Sequence, residues 1–244
     1  MSPEQAGLAD PHCHTTASDG MVDAGELVAG ALAAGLDLIA VTDHDTMALA
    51  REVEARGEAA GVAVVAGQEI TTRWPAQTHV VGWFLRRPVR AGMTIADTVA
   101  AIHEQGGLAI IPHPFMPTYF ASCQPGMLAH LLETHQVDGI ELLHTGPLGS
   151  ARRSALQAFY ERHRERLGAA IGASDSHFGV HDLGRVITEF PGSGAAAFRS
   201  AVAAGTTLPR AGRAVARPPA ALRLRQQYRS LLELPARRLL GRLG

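Results

Sequence analysis

His12 and His14 stand one residue apart in the stretch Asp10-Pro11-His12-Cys13-His14-Thr15-Thr16-Ala17-Ser18-Asp19-Gly20. On an extended strand alternate side chains share a face, so both imidazoles point one way and Cys13 the other. Asp19 follows in a polar turn that Gly20 closes, where a carboxylate can fold back over the rings. Two nitrogens and one oxygen brought to one spot are part of a metal site. A lone His-x-His pair more often means two packed or surface histidines, so its meaning rests on the rest of the chain.

The rest of the chain repeats the placement. Short apolar runs empty into Thr42-Asp43-His44-Asp45-Thr46, Gly67-Gln68-Glu69, Pro112-His113-Pro114 and Ala173-Ser174-Asp175-Ser176-His177, and His79 opens the apolar run 80–85. The candidate donors are therefore His12, His14, Asp19, His44, Glu69, His79, His113, Asp175 and His177. Nine nitrogen and oxygen donors without sulfur exceed one tetrahedral zinc and suit two or three divalent ions (zinc, manganese or iron) bridged by a carboxylate. Such a cluster activates water and clamps a phosphoryl group, which allows hydrolysis without a covalent protein nucleophile. No nucleophile elbow, P-loop or dinucleotide fingerprint competes with this reading.

The elements that must position these groups alternate. Helical spacing of apolar residues covers 22–34, with Asp23 as N-cap and Gly35 as stop, and further helices are expected at 47–60, 94–105, 125–135 and, rich in arginine, 150–166. Apolar strand-length runs lie at 36–41, 62–66, 80–85, 108–111, 139–143 and 169–172. With the strand that carries His12, this makes about seven strands alternating with helices. The pattern predicts an α/β fold with a parallel sheet, closed or doubly wound, and with function at the strands' C-terminal ends. His79 alone starts its strand, which predicts an element that runs the other way or enters the site from its edge.

The 244 residues, 46% hydrophobic, are enough for one α/β-barrel-sized domain or two small ones. No apolar run reaches bilayer length and no signal pattern opens the chain. Two cysteines are too few for a disulfide framework, so the expected location is cytoplasmic. Lysine is absent. From Arg210 onward nine arginines face a single acid, Glu233, while the body before it carries an excess of acid. The chain accordingly divides into a metal-dependent domain, 1–209, and a basic Arg/Leu-rich tail, 210–244. The tail is expected to be a helix packed on the acidic body, in preference to a contact with anionic membrane, nucleic acid or a partner.

Taken in order, His12-x-His14 with Thr15-Thr16-x-Ser18-Asp19-Gly20, then Val41-Thr42-Asp43-His44-Asp45-Thr46, Gly67-x-Glu69, His113-Pro114 and Ser174-Asp175-Ser176-His177 resemble the PHP family, named for polymerase and histidinol phosphatase. The resemblance covers roughly residues 8 to 190. It implies a distorted (β/α)7 barrel, a trinuclear metal centre and phosphoesterase activity. Matched residue by residue, it assigns His12, His14, Glu69 and Asp175 to one ion. Bridging Glu69 with His79 and His113 serves a second, and Asp19, His44 and His177 a third.

The chain departs from the family in two places. Only 33 residues separate His79 from His113, where many relatives carry a substantial insertion, and Phe115-Met116-Pro117-Thr118 stands where some carry an arginine for phosphate. Arg185 is the alternative anchor, against an ordinary surface charge. His144, at a strand end, is either a substrate or indirect contact or a bystander. Asp43 and Asp45 either orient imidazoles or cap the next helix. His103, His130, His135 and His163 fall in helices without a role, and His181 is unassigned.

The leading expectation is a metal-dependent phosphoesterase acting on a small phosphomonoester or nucleotide. A 5'-3' exonuclease ranks second, because a strand track needs a basic groove with stacking aromatics and aromatics are 5% here. The lysine-bridged amidohydrolases are excluded by the missing lysine, which leaves a Glu-bridged type or a non-catalytic binding barrel.

Overall fold

The computed structural model describes residues 6–118 and 120–240. Nine strands form one sheet: β1 (Ala6–Cys13), β2 (Leu38–Val41), β3 (Ala63–Thr71), β4 (His79–Trp83), β5 (Leu108–Ile111), β6 (Gly139–His144), β7 (Ala169–Ala173), β8 (Val186–Pro191) and β9 (Leu208–Ala211). Their spatial order is β7-β6-β5-β4-β3-β2-β1-β8-β9. The helices are α1 (Ala24–Ala33), α2 (Ala50–Ala60), α3 (Ile95–His103), α4 (Pro125–Thr134), α5 (Ser150–Leu167), α6 (Gly194–Ala204), α7 (Ala220–Tyr228) and α8 (Leu234–Leu240). Local chemistry sets their ends. Asp23 caps α1 in a reciprocal box with Glu26, and Thr94 caps α3 through the Asp97 amide.

β1, β2 and β3 run parallel, as do β5, β6 and β7. β4 is antiparallel to both of its neighbours, and its first residue, His79, pairs with Thr71 at the end of β3. The reversed strand therefore delivers its start to the end of the barrel where the other strands finish. Pairing with β4 also extends β3 through Glu69, which lies inside the strand and not after it, because the partner supplies hydrogen bonds over 67–71.

The sheet curls until β7 returns to β1. Cys13 bridges Ser176, with His14 N donating to Ser176 O at 2.8 Å and Ser176 N to His12 O at 3.0 Å. Farther along the seam, side chains replace the ladder. The Thr188 hydroxyl bonds both backbone groups of Gly172, Ser174 Oγ bonds those of Val186, and Asp10 accepts from Ser174 N and Gly184 N. The result is a nearly closed, distorted α/β barrel with the β8–β9 hairpin along its seam. These two strands and α6 fall outside the seven-strand reading. β9 is four residues long and largely exposed, so it carries little hydrophobic pattern.

Strand residues alternate between two cores. Leu38, Ala40, Val65, Val81, Trp83 and Ile110 pack inside the barrel with Phe190 and with Phe198, Ala201 and Val202 of α6. Ile39 and Val41 pack outward on α1 and α2, and Ala109 and Ile111 outward on α3 and α4. Each fully buried large side chain contributes about 1.5–3 kcal/mol. Phe198 lies 5.3 Å from the Trp83 ring and 5.2 Å from Phe190, so α6 stops one mouth of the barrel with hydrocarbon. The other mouth receives the polar groups. Cys13 and Cys123 are buried free thiols, and no described helix is long and apolar enough to cross a membrane.

Candidate metal centre

An irregularity in β1 aims the first two histidines. Ala9 pairs with Leu38 and Asp10 with Ile39, but Cys13 pairs with Val41, so β1 holds one extra residue in that interval. A bulge of this kind switches which face successive side chains take. Ala9 belongs to the inner core and Cys13 to the outer one, which leaves His12 and His14 facing the barrel mouth. The strand-face reading holds for the pair, and the bulge decides which face it is.

Glu69 is the hub. Its Oε2 lies 3.4 Å from His12 Nε2, 3.3 Å from His14 Nε2 and 3.2 Å from His44 Nδ1. Its Oε1 lies 2.7 Å from His79 Nδ1 and 2.9 Å from His113 Nε2. Asp175 Oδ1 stands 3.1 Å from His14 Nε2, 3.4 Å from His12 Nε2 and 3.6 Å from His177 Nδ1. Asp19 Oδ1 faces His177 Nε2 at 3.3 Å and His44 Nε2 at 3.7 Å. All nine sequence candidates thus meet at one mouth. Three sets have ligand atoms within 4.8 Å of one another: His12-His14-Glu69-Asp175, His14-Asp19-His44-His177 and His44-Glu69-His79. The first equals the grouping implied by the resemblance. The second adds His14 to the third ion's set. In the third, His44 stands with Glu69 and His79, and His113 joins through its Glu69 contact.

The donor set fits divalent cations. Asp19 Oδ1 and the Nδ1 atoms of His44, His79 and His113 are buried without a hydrogen-bond partner among the described residues. His79 Nδ1 lies close to Glu69 Oε1, yet the two are not aligned as donor and acceptor. Buried polar atoms left this way are costly unless a cation takes their lone pairs. Burial opposes the charge on Glu69, but neighbouring imidazoles, His79 foremost and His12 with it, outweigh it and hold the carboxyl well below its usual range. Asp175 and Asp19 are held low in the same way, against burial, by His12 and His177 for the former and chiefly by His177 for the latter. Burial pushes His44 down to about 3 despite Glu69 and Asp19, which leaves one ring nitrogen with a free lone pair.

Other acids hold the donors in place. Glu141 accepts from His12 Nδ1 at 2.7 Å and from the His113 amide at 2.7 Å. It fixes the His12 tautomer and leaves Nε2 to face Glu69 and Asp175. Glu141 was missed; its signal was a lone acid inside the apolar strand Gly139-Ile140-Glu141-Leu142. Asp43 accepts from Thr15 N, Thr15 Oγ1 and Ser18 Oγ, so it braces the loop bearing Asp19 instead of touching an imidazole or capping a helix. Asp45 Oδ1 accepts from Thr71 N, and α2 starts later, behind Leu49. Asp182 accepts from Ser176 Oγ, His177 N and Phe178 N. Gly20 lets the first loop close, because a Cβ there would collide with the His14 carbonyl.

A cavity of about 350 Å³ opens beside the cluster, lined by Asp175, His177, Arg185, Arg217, Arg223 and Gln226 among others. Arg185 therefore shares a wall with two donors, and the tail adds two arginines that the sequence reading did not place. A larger cavity of about 490 Å³ near Thr46, Arg51 and Arg86 contains none of the nine, so volume alone does not locate the chemistry. His144 ends β6 with its Nδ1 accepting from Gly146 N and its buried Nε2 unpartnered among the described residues; burial lowers its pKa. His103, His130, His135, His163 and His181 lie outside the three sets.

A PHP domain model matches residues 10–189. An uncharacterized protein of Methanocaldococcus jannaschii is 33% identical over 120 residues, 45% of this chain and 68% of that protein. A 5'-3' exoribonuclease of Haemophilus influenzae is 43% identical over 74 residues, 30% of this chain and only 27% of that protein. Among solved structures, a two-domain protein from Bacteroides vulgatus containing a predicted PHP-like metal-dependent phosphoesterase superposes with a TM-score of 0.73 at 20% identity, over 94% of this chain and 71% of that one.

Proposed function

The chain belongs to the PHP domain family, and we propose that it is a metal-dependent phosphoesterase hydrolysing a small phosphomonoester or nucleotide. The observation that carries this reading is Glu69, one buried carboxylate within 3.4 Å of five imidazoles. His12, His14, Glu69 and Asp175 would hold one ion, Asp19, His44 and His177 with His14 beside them another, and Glu69 with His79 and His113 a third. Manganese, zinc and iron all suit this nitrogen and oxygen set. Divalent ions bound there supply Lewis acidity toward a phosphoryl oxygen and lower the pKa of a water molecule.

The chain's own residues do the rest. Glu141 keeps the His12 proton on Nδ1. Arg185, Arg217 and Arg223 have no ion pair within 4.0 Å among the described residues, so their guanidinium groups are available to an anionic substrate in the cavity they share. His144 Nε2 offers a proton-exchanging atom at the same end of the barrel.

A second reading, a 5'-3' exonuclease, is favoured by one further observation. Trp74 and Phe120 are 71% and 54% exposed with ring centroids 6.1 Å apart. Their loops meet where His79 N bonds Ala121 O. An exposed aromatic pair at the rim, with three arginines at the cavity, supplies the stacking and basic features that a strand track needs. The similarity to an exoribonuclease, over a short span, is consistent with it.

The test is elemental analysis of protein purified without chelator, alongside phosphate release from phosphomonoesters, nucleotides and 5'-phosphorylated oligonucleotides. Two to three ions per chain, with release that disappears in Asp175→Ala, supports the phosphoesterase reading. Absence of both under added manganese or zinc overturns it. Trp74→Ala separates the substrates: loss of one stacked base, about 1–3 kcal/mol, raises KM for an oligonucleotide and leaves that for a small phosphomonoester unchanged.

A further inference from the structure

We infer that residues 212–229 are a strap that completes the metal centre, with Gln226 and Arg229 as positioning residues for Asp19. The inference rests on the proposed reading of Asp19, His44 and His177 as an ion site.

The strap is fastened at two places. At its start, Gly212 N donates to Arg185 O and Arg213 N to Gly184 O. The Arg213 side chain then donates from Nε to Leu183 O at 3.0 Å and from Nη2 to Val180 O at 2.7 Å. These carbonyls flank Asp182, the acid that holds the His177 amide. At its far end, Arg229 donates from Nη1 to Gly20 O at 3.1 Å, and from Nη2 to Thr16 O and Ser18 O at 2.8 Å each. Those three carbonyls belong to the loop that carries Asp19. The strap therefore ties the loop after β7 to the loop after β1, and across that junction Asp19 Oδ1 meets His177 Nε2 at 3.3 Å.

Gln226 settles how the carboxylate is presented. Its Nε2 donates to Asp19 Oδ2 at 3.1 Å, while Oδ1 stays buried with no hydrogen-bond partner among the described residues. A neutral amide occupies one oxygen without cancelling the charge, so Asp19 offers a single oxygen toward His44 and His177. Arg229 suits the loop because one planar fork can meet several carbonyls at once, which a lysine ammonium on a flexible stem does less well. Sequence separations above 200 residues hide both contacts from any local pattern.

The full-length chain and its Gln226→Leu, Arg229→Ala, Arg229→Lys, Arg225→Ala and His44→Ala variants are titrated with Mn²⁺, and ions per chain are counted after dialysis. Groups that orient metal ligands typically govern about 10–100-fold in affinity. Gln226→Leu and Arg229→Ala are expected to weaken the weakest-bound ion by about that factor and to lose one ion on dialysis. Arg229→Lys should recover affinity only in part. Arg225, exposed on α7 next to Gln226, is the charge control and should bind as the parent does. If His44→Ala leaves ion content unchanged, the ion site itself is wrong. If His44→Ala loses an ion but Gln226→Leu and Arg229→Ala bind like the parent, the strap inference alone is overturned. Equal weakening of every ion, or loss that tracks a lowered melting temperature in the metal-free state, also counts against it. Gln226→Leu leaves the Arg229 clamp intact and so keeps the test open should Arg229→Ala fail to fold.

Discussion

The two ends of the barrel use left-handed backbone differently. Away from the donors, helices pass into strands through Gly35, Gly61, Gly106 and Gly168, with φ of +68°, +78°, +73° and +70°. At the donor end the same region is occupied by Asp45, His113 and Asp175, at +55°, +29° and +54°. A side chain there costs about 1–2 kcal/mol, and the donor end adds buried polar atoms without hydrogen-bond partners among the described residues. Phe84, at φ +59° beyond β4, is the exception at the far end, where Arg199 lies over its ring. One end is built so that the chain turns with little strain. The other holds two of its donors, His113 and Asp175, on strained backbone.

Changes at the donor end should remove chemistry, and changes at the far end should remove stability. Glu69→Gln is expected to have the largest effect, loss of bound metal and with it of activity, with an unchanged circular dichroism spectrum. Retained activity would show that the centre is not organised around Glu69. Chelation comes next. Ions that bind only the folded chain stabilise it by about 2.7 kcal/mol at a hundredfold excess over Kd. Melting temperature should therefore fall by several degrees and return with the ions.

Gly168→Ala sharpens the contrast from the other side. A Cβ would collide with the Asp138 carbonyl in a conformation that side chains rarely adopt. Denaturant unfolding should report a loss of about 1–3 kcal/mol, with kcat per folded molecule unchanged. The smallest effect is expected at His103, 40% exposed, where the bond to Asp138 at 2.8 Å raises the imidazole pKa. A raised folded-state pKa means that the stabilisation is complete below about 6.5, the unfolded value, and is lost as pH rises through the folded one. His103→Gln should therefore lower the melting temperature at pH 5.5 but not at pH 9, within the 0–1 kcal/mol typical of exposed pairs. A deficit of equal size at both pH values would point to packing instead of charge.

Much of the candidate site was legible because its donors sit where apolar runs end, a pattern confined to a few neighbouring residues. His79 at the head of its run already signalled a strand that is reversed or enters the site from its edge, and the structure shows it reversed. Glu141 was missed because its partners, His12 and the His113 amide, lie 129 and 28 residues away. The seam escaped for a similar reason: Asp10, Thr188 and Ser174 close it through side chains, which leave no periodicity to read. The exposed β9 carries almost no burial pattern.

Donor types, their order, and a run of strands alternating with helices able to gather them all follow from local periodicity and composition. Which way His12 and His14 face, which acid orients His12, and where the basic tail lies depend on the folded chain. The first depends on one extra residue measured against a partner strand, and the others on contacts between residues far apart in the chain. Such contacts are specified by packing, which no short window of sequence contains.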